Sequence, residues 1–230
     1  LKPAPADIEL SAALFQELLH IRYSSELFRL ETAEDIQARV AFHNTGPGQL
    51  PGLIVMDISD VEPDLVGLDP DRERLVALIN ANDDAQTFTI GDLADNYLWL
   101  HLVQDVSADP IVTTSSYDKD TGTFSVPART AAVFVLYEPR PAIERIIHEV
   151  QLLVDAGVLN KGQGNSLTVK LEGAIRQLDQ GKPKQAVNRL NAFINEVESL
   201  IEEGVLTPEE GRPLIDAANS IIDQISASGV

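Results

Sequence analysis

Residues 107–137, SADPIVTTSSYDKDTGTFSVPARTAAVFVLY, set out three short strands joined by tight turns. Ile111–Ser115, Thr123–Val126 and Thr130–Tyr137 are rich in Val, Thr and aromatic residues, which suit a pleated, half-buried surface. Asp118-Lys119-Asp120-Thr121-Gly122 between the first two carries residues that favour reversal of the chain.

The same pattern extends towards the N-terminus. Ile36–Asn44, Leu53–Ser59, Arg74–Asn80, Gln86–Ile90 and Leu98–Val103 read as further strands. Asn44-Thr45-Gly46-Pro47-Gly48 and Ala81-Asn82-Asp83-Asp84 supply turns between them. Short strands with no long helix among them predict an antiparallel β-sandwich. Ahead of it, Leu10, Leu14, Leu18 and Ile21 recur at helical spacing, with Phe15 and Leu19 beside them, and predict a helix over 6–22. A helix this apolar needs a partner surface.

Beyond Tyr137 the composition changes. Eleven of the twelve aromatic residues precede residue 142, and only Phe193 follows it. Residues 1–142 carry 9 basic and 23 acidic side chains, net −14; residues 143–230 carry 8 and 13, net −5. Glu138-Pro139-Arg140-Pro141-Ala142 lies at the junction, and its paired prolines predict a stiff linker. Apolar stripes then recur at spacings of three and four: Ile143 to Val154, Leu167 to Leu178, Val187 to Ile201 and Leu214 to Ile225, predicting four helices. Gly157-Val158-Leu159-Asn160 returns 47 residues later as Gly204-Val205-Leu206-Thr207. Each glycine suits the left-handed end of a helix, and Asn160 with Gln163 and Thr207 with Glu210 match capping boxes. Two such hairpins predict a four-helix bundle with pseudo-twofold symmetry.

Composition excludes several functions. The net charge of −19 opposes binding to nucleic acid or to an anionic membrane surface. No run approaches a membrane span, so no membrane insertion is expected. The absence of cysteine removes disulfides and thiolate metal sites.

Residues 107–137 closely resemble the closing strands of the C-terminal β-domain of bacterial pullulanases, the starch-debranching members of the α-amylase superfamily. ALFQELLHIRYSSELFRL (13–30) followed by AEDIQARVAFHNTGPGQLPGLIVMDI (33–58) resembles the passage where the last helix of their catalytic barrel meets that domain. Residues 143–226 also resemble the FIMAH helical module found appended to secreted bacterial proteins. These resemblances imply an α+β, multi-domain chain. Residues 1–30 would be the terminal helix and exit of a (β/α)8 catalytic barrel absent from this chain, 31–137 the C-terminal antiparallel β-sandwich, 138–142 a linker and 143–230 an all-α four-helix bundle. The chain would then be the non-catalytic C-terminal part of a secreted, extracellular enzyme hydrolysing α-1,6-glucosidic bonds. Its partner would be the catalytic barrel of the same protein, with α-glucan a further candidate. The alternative is an accessory module that binds polysaccharide or a cell surface.

No catalytic, cofactor-binding or metal-binding residue is assigned, because no carboxylate sits in a motif matching the catalytic strands. Calcium is compatible with the parent enzyme; no cofactor is expected in this chain. Asp118-x-Asp120-x-Gly122 begins like a calcium loop, but a strand follows where a helix and a bidentate Glu are needed, so a β-turn is expected. Tyr97 and Trp99 form a candidate sugar platform, yet their strand is apolar on both faces, which favours burial. His20, His43, His101 and His148 lack metal-ligand spacing, and no serine lies in a nucleophile elbow. Gly162-Gln163-Gly164 lacks the surroundings of a phosphate loop.

Produced separately, residues 1–137 should give a β-dominated circular dichroism spectrum and residues 143–230 a helical one. A helical signal dominating the first fragment would contradict this division.

Overall fold

The computed structural model describes residues 2–61 and 66–227. The chain divides into two compact units, Leu1–Leu136 and Tyr137–Val230.

The first unit opens with helix α1 (Pro5–Tyr23), begun by Pro5 at its first position, where the missing N–H costs no hydrogen bond. A 3-10 turn at Glu26–Arg29 follows, then helix α2 (Ala33–Arg39). Eight strands complete the described architecture: β1 (Val40–Phe42), β2 (Leu53–Ser59), β3 (Arg72–Asn80), β4 (Gln86–Thr89), β5 (Trp99–Leu100), β6 (Ser116–Asp118), β7 (Thr123–Val126) and β8 (Thr130–Tyr137). A five-stranded sheet runs β1-β2-β3-β8-β5 and a three-stranded one β4-β7-β6. The pairs β1–β2, β2–β3, β4–β7, β5–β8 and β6–β7 are antiparallel.

Alternation along the strands builds the core. Val55 faces Leu78 across the β2–β3 pair, and both turn inward with Val76, Phe134 and Leu136. Phe124 and Val126 of the smaller sheet complete the same cluster. Phe124 meets Phe134 edge-on with ring centroids 5.1 Å apart.

Three expected strands differ, each for a local reason. Ile36–Asn44 contributes only β1, because Thr32 caps α2: its hydroxyl accepts the Asp35 N–H (3.0 Å), and helix runs to Arg39. Leu98–Val103 contributes only β5. His101 caps a four-residue helix, α3 (Leu102–Asp105), by accepting the Val103 N–H at Nδ1. In Ile111–Ser115, Asp109 accepts the Ile111 N–H and the backbone coils into a 3-10 turn over Val112–Thr114. The strand begins one residue beyond, at Ser116.

The second unit consists of α4 (Pro139–Asp155), α5 (Lys161–Asp179), α6 (Pro183–Glu202) and α7 (Pro208–Ala227). Each helix packs against the next, and α4 also meets α7, which closes the bundle. The expected linker at 138–142 is instead the start of α4. Pro139 and Pro141 fall in the first turn, where backbone N–H groups have no intrahelical partner, so both prolines are accommodated.

The 47-residue repeat is structural. Gly157 and Gly204 both adopt positive φ (75° and 73°). Leu159 N–H bonds to Leu153 O as Leu206 N–H bonds to Leu200 O, each at 3.1 Å. Asn160 with Gln163 and Thr207 with Glu210 form reciprocal capping boxes. Gly164 and Gly211, also 47 apart, allow each second helix to press on the first. A Cβ at Gly164 would stand 2.3 Å from Val154 Cγ2, and one at Gly211 would stand 2.5 Å from Ile201 Cδ1.

Gly164→Ala should therefore destabilise the bundle by about 1–3 kcal/mol from overpacking, although alanine favours helix over glycine. In a Val154→Ala background the same substitution should become neutral or stabilising. Urea unfolding of residues 137–230 with this double-mutant cycle checks it; a cost unchanged by Val154→Ala would show that the two side chains do not compete for space.

Candidate docking surface

Helix α1 has large apolar residues on several sides and buries only one. Ile21 is buried, whereas Ile8, Leu10, Phe15, Leu18 and Tyr23 are exposed, Phe15 and Tyr23 by 63% and 65%. A cavity of about 220 Å³ opens between Leu14, Leu18 and Ile21 on the helix and Gln104, Val112 and Thr130 below it. The helix therefore rests on its own unit without close packing along its length.

Polar side chains hold it instead. Glu17 accepts hydrogen bonds from the Ser107 hydroxyl (2.6 Å) and the Ala108 N–H (2.9 Å). At the helix end, Ser24 Oγ donates to Ile21 O (2.8 Å) and lies 3.0 Å from His101 Nε2. Because His101 Nδ1 accepts from the Val103 N–H, the proton of the neutral ring sits on Nε2, which donates to Ser24. The pair is thus a structural peg: the imidazole holds no free lone pair with which to activate this serine.

A buried ionic network continues the anchorage. Arg39 is buried and donates to Asp60 through Nη1 and to Val66 O through Nη2 (2.7 Å). Asp60 Oδ2 accepts the Leu68 and Asp69 N–H groups, each at 2.8 Å. Asp69 accepts from the Ser25 hydroxyl (2.5 Å) and pairs with Arg72 (3.1 Å). Ser25 caps the 3-10 turn after α1 by accepting the Leu27 N–H. Charge and hydrogen bonding thus tie the exit of α1 to α2 and to the start of β3. The Thr32 hydroxyl and then Arg39 hold the Asp35 carboxyl below its ordinary range. Its contribution is present above the ordinary carboxylate pKa and is lost as pH falls through the lowered value.

The other residues singled out in the sequence fall elsewhere. Asp118 and Asp120 form the β6–β7 turn, where Asp118 Oδ1 accepts the Asp120 N–H (2.9 Å). Gly122 is required there, since a Cβ would stand 2.3 Å from Ile90 O. Tyr117, beside this turn, donates to Leu93 O, and burial pushes its phenol above the ordinary range. Trp99 is 8% exposed and meets Tyr97 edge-on at 4.7 Å, so its ring face offers no open platform. His43 lies 3.1 Å from Asp57, while His20 and His148 lie exposed on α1 and α4. Gly162 and Gly164 belong to the first turn of α5. Among the described residues no three His, Cys, Asp or Glu side chains stand together as a metal-ligand set. Among them, too, no helix is long and apolar enough to cross a membrane.

The model of the family described as "Alpha-1,6-glucosidases, pullulanase-type, C-terminal" matches residues 1–137. The chain belongs to this family. Residues 143–223 match the FIMAH domain. Among curated relatives, "Pullulanase 1, chloroplastic" of Arabidopsis thaliana is 47% identical over 137 residues, covering 58% of this chain and 14% of that protein. "Pullulanase" of Klebsiella pneumoniae is 32% identical over 134 residues, covering 58% and 12%. The crystal structure of PulA from Klebsiella oxytoca superimposes with a TM-score of 0.53 at 32% identity, over 60% of this chain and 13% of that one. The chain therefore spans about one seventh of the first relative's length. Similarity reaches a plant plastid protein as well as bacterial ones, so it does not fix a bacterial origin.

The role of Arg39 was hidden in the sequence by the strand reading of residues 36–44. Thr32 and Asp35, spaced as a helix cap, were the available signal. Arg39→Met should destabilise the first unit by about 3–5 kcal/mol, because it leaves a buried Asp60 carboxylate without its counter-charge. Arg39→Met with Asp60→Asn should recover part of that loss in chemical denaturation; full additivity of the two costs would refute the coupling.

Proposed function

We propose that residues 1–137 are the non-catalytic C-terminal portion of a debranching glycoside hydrolase acting on α-1,6-glucosidic bonds of pullulan and starch. The observation that carries this reading is the exposed apolar surface of α1, fixed to its own unit by polar pegs. Large apolar side chains left in water, Leu19 among them, are an interface in search of a partner, and the catalytic portion of the same polypeptide is the partner the family suggests. The unit stabilises and caps that portion. Export of the whole protein belongs to the same proposal.

In this reading the bundle is an independent appendage. Its interior is supplied by its own helices, with Ile143, Ile146, Leu167, Leu171, Leu190, Phe193, Val197 and Ile221 all buried.

Two truncations of the whole enzyme test this arrangement. Ending it after Tyr137 should leave kcat and KM on soluble pullulan nearly unchanged. Removing residues 31–137 as well should cause aggregation through exposed barrel surface. The 230-residue chain alone should release no reducing ends from pullulan. A large fall in kcat from the first truncation, in a protein still folded, would overturn the modular reading, and turnover by the purified chain would overturn the non-catalytic one.

A further inference from the structure

A groove of about 420 Å³ lies on the outer face of the five-stranded sheet. Its floor is Phe42, Ile54 and Ile79, exposed by 54%, 48% and 46%. Strand alternation turns Ile54 and Ile79 away from the core that holds Leu53, Val55 and Leu78, and Phe42, opposite Met56, shares their face. One wall is the segment between β1 and β2. Its shape is set by Asn44, which donates to Leu50 O (2.8 Å) and Leu53 O (2.6 Å) and accepts from the Leu50 N–H (2.8 Å). Asn82 Nδ2 braces the same segment by donating to Pro51 O at 3.0 Å. The wall presents Thr45 and Gln49, both exposed, over the apolar floor.

None of the residues lining this groove is charged, in a chain whose net charge is −19. An anionic or cationic ligand would find no counter-charge there. What the groove offers is an aromatic face, branched aliphatic side chains, and an amide and a hydroxyl at the rim. That combination matches a neutral polyhydroxylated chain: the apolar C–H faces of its sugar rings lie on Phe42 and Ile54, and its hydroxyls bond to Thr45 and Gln49. The braced wall keeps the ordering cost of binding low. We propose that this groove is a surface site for an α-glucan chain, separate from any catalytic centre. The choice of α-glucan among neutral polysaccharides rests on the debranching function proposed above.

The test is affinity electrophoresis of the 230-residue chain through gels containing pullulan, with maltohexaose as a soluble competitor and a mixed-linkage β-glucan as a control polymer. Pullulan should retard the chain, and maltohexaose should release it. Phe42→Ala should weaken retardation by about tenfold, the loss of one good contact of about 1.4 kcal/mol. Phe42 is half-exposed at a sheet edge, so the variant should keep its unfolding temperature. If it does not, Thr45→Val with Gln49→Ala, which alters only the rim, should still weaken retardation several-fold. No retardation of the parent chain, or unchanged retardation of folded variants, overturns the site. So does protection of the β1–β2 segment from hydrogen exchange in the whole enzyme without glucan, which would mark the groove as buried against protein. Retardation by the β-glucan equal to that by pullulan overturns the choice of α-glucan. None of these outcomes bears on the truncation experiments, whose failure would overturn the modular reading; a whole enzyme that releases no reducing ends from pullulan would remove the debranching one.

Discussion

The contact of Phe124 with Phe134 across the two sheets is the constraint on which the first unit depends. The three-stranded sheet and the five-stranded one each carry an apolar face that needs cover. Each solves the other's problem by facing inward, and Tyr117 packs its ring on Phe124 at 4.7 Å to extend the contact. Once this core is closed, the remaining segments have fixed points to which they are tied by hydrogen bonds and charges.

Those ties are mostly polar, which matters for α1. A helix that packs by an apolar stripe uses that stripe up. This one spends Glu17, Ser24 and the turn residue Ser25 on attachment, leaving Ile8, Leu10, Phe15 and Leu18 uncovered. Buried ion pairs such as Arg39 with Asp60 add little net stability, because desolvation offsets attraction. Their directional geometry is what they contribute, and here they fix the position of a surface that presents apolar groups outward.

The second unit is built on a different economy. Two hairpins repeat one another down to the residues that crowd their glycines, and the resulting four stripes close on themselves. With its aliphatic interior and the single buried ring of Phe193, the bundle has a core of its own.

Local signals in the sequence were enough for β2, β7 and β8, for α1, and for the capped hairpins of the bundle. In those segments apolar period, turn residues and caps all agree. The β-turn at Asp118–Gly122 and the burial of Trp99 were legible in the same way, from the strand after the turn and the two-sided apolar run. Where the signals conflict, side-chain caps prevailed. Thr32, His101 and Asp109 each accept a backbone N–H and coil residues that β-propensity alone would extend, and no periodicity count registers one such bond. Pro139 and Pro141 look like a linker in sequence and become a helix start because the first turn has no use for their missing donors. The groove around Phe42, Ile54 and Ile79 lay beyond any reading of the sequence, since it joins three strands through register. The burial of Arg39 against Asp60 likewise joins residues 21 apart. Sequence by itself determined which segments are strand or helix wherever local preferences concur. Tertiary structure alone decided which apolar residues stay in water, because that depends on what each face meets after the sheets close.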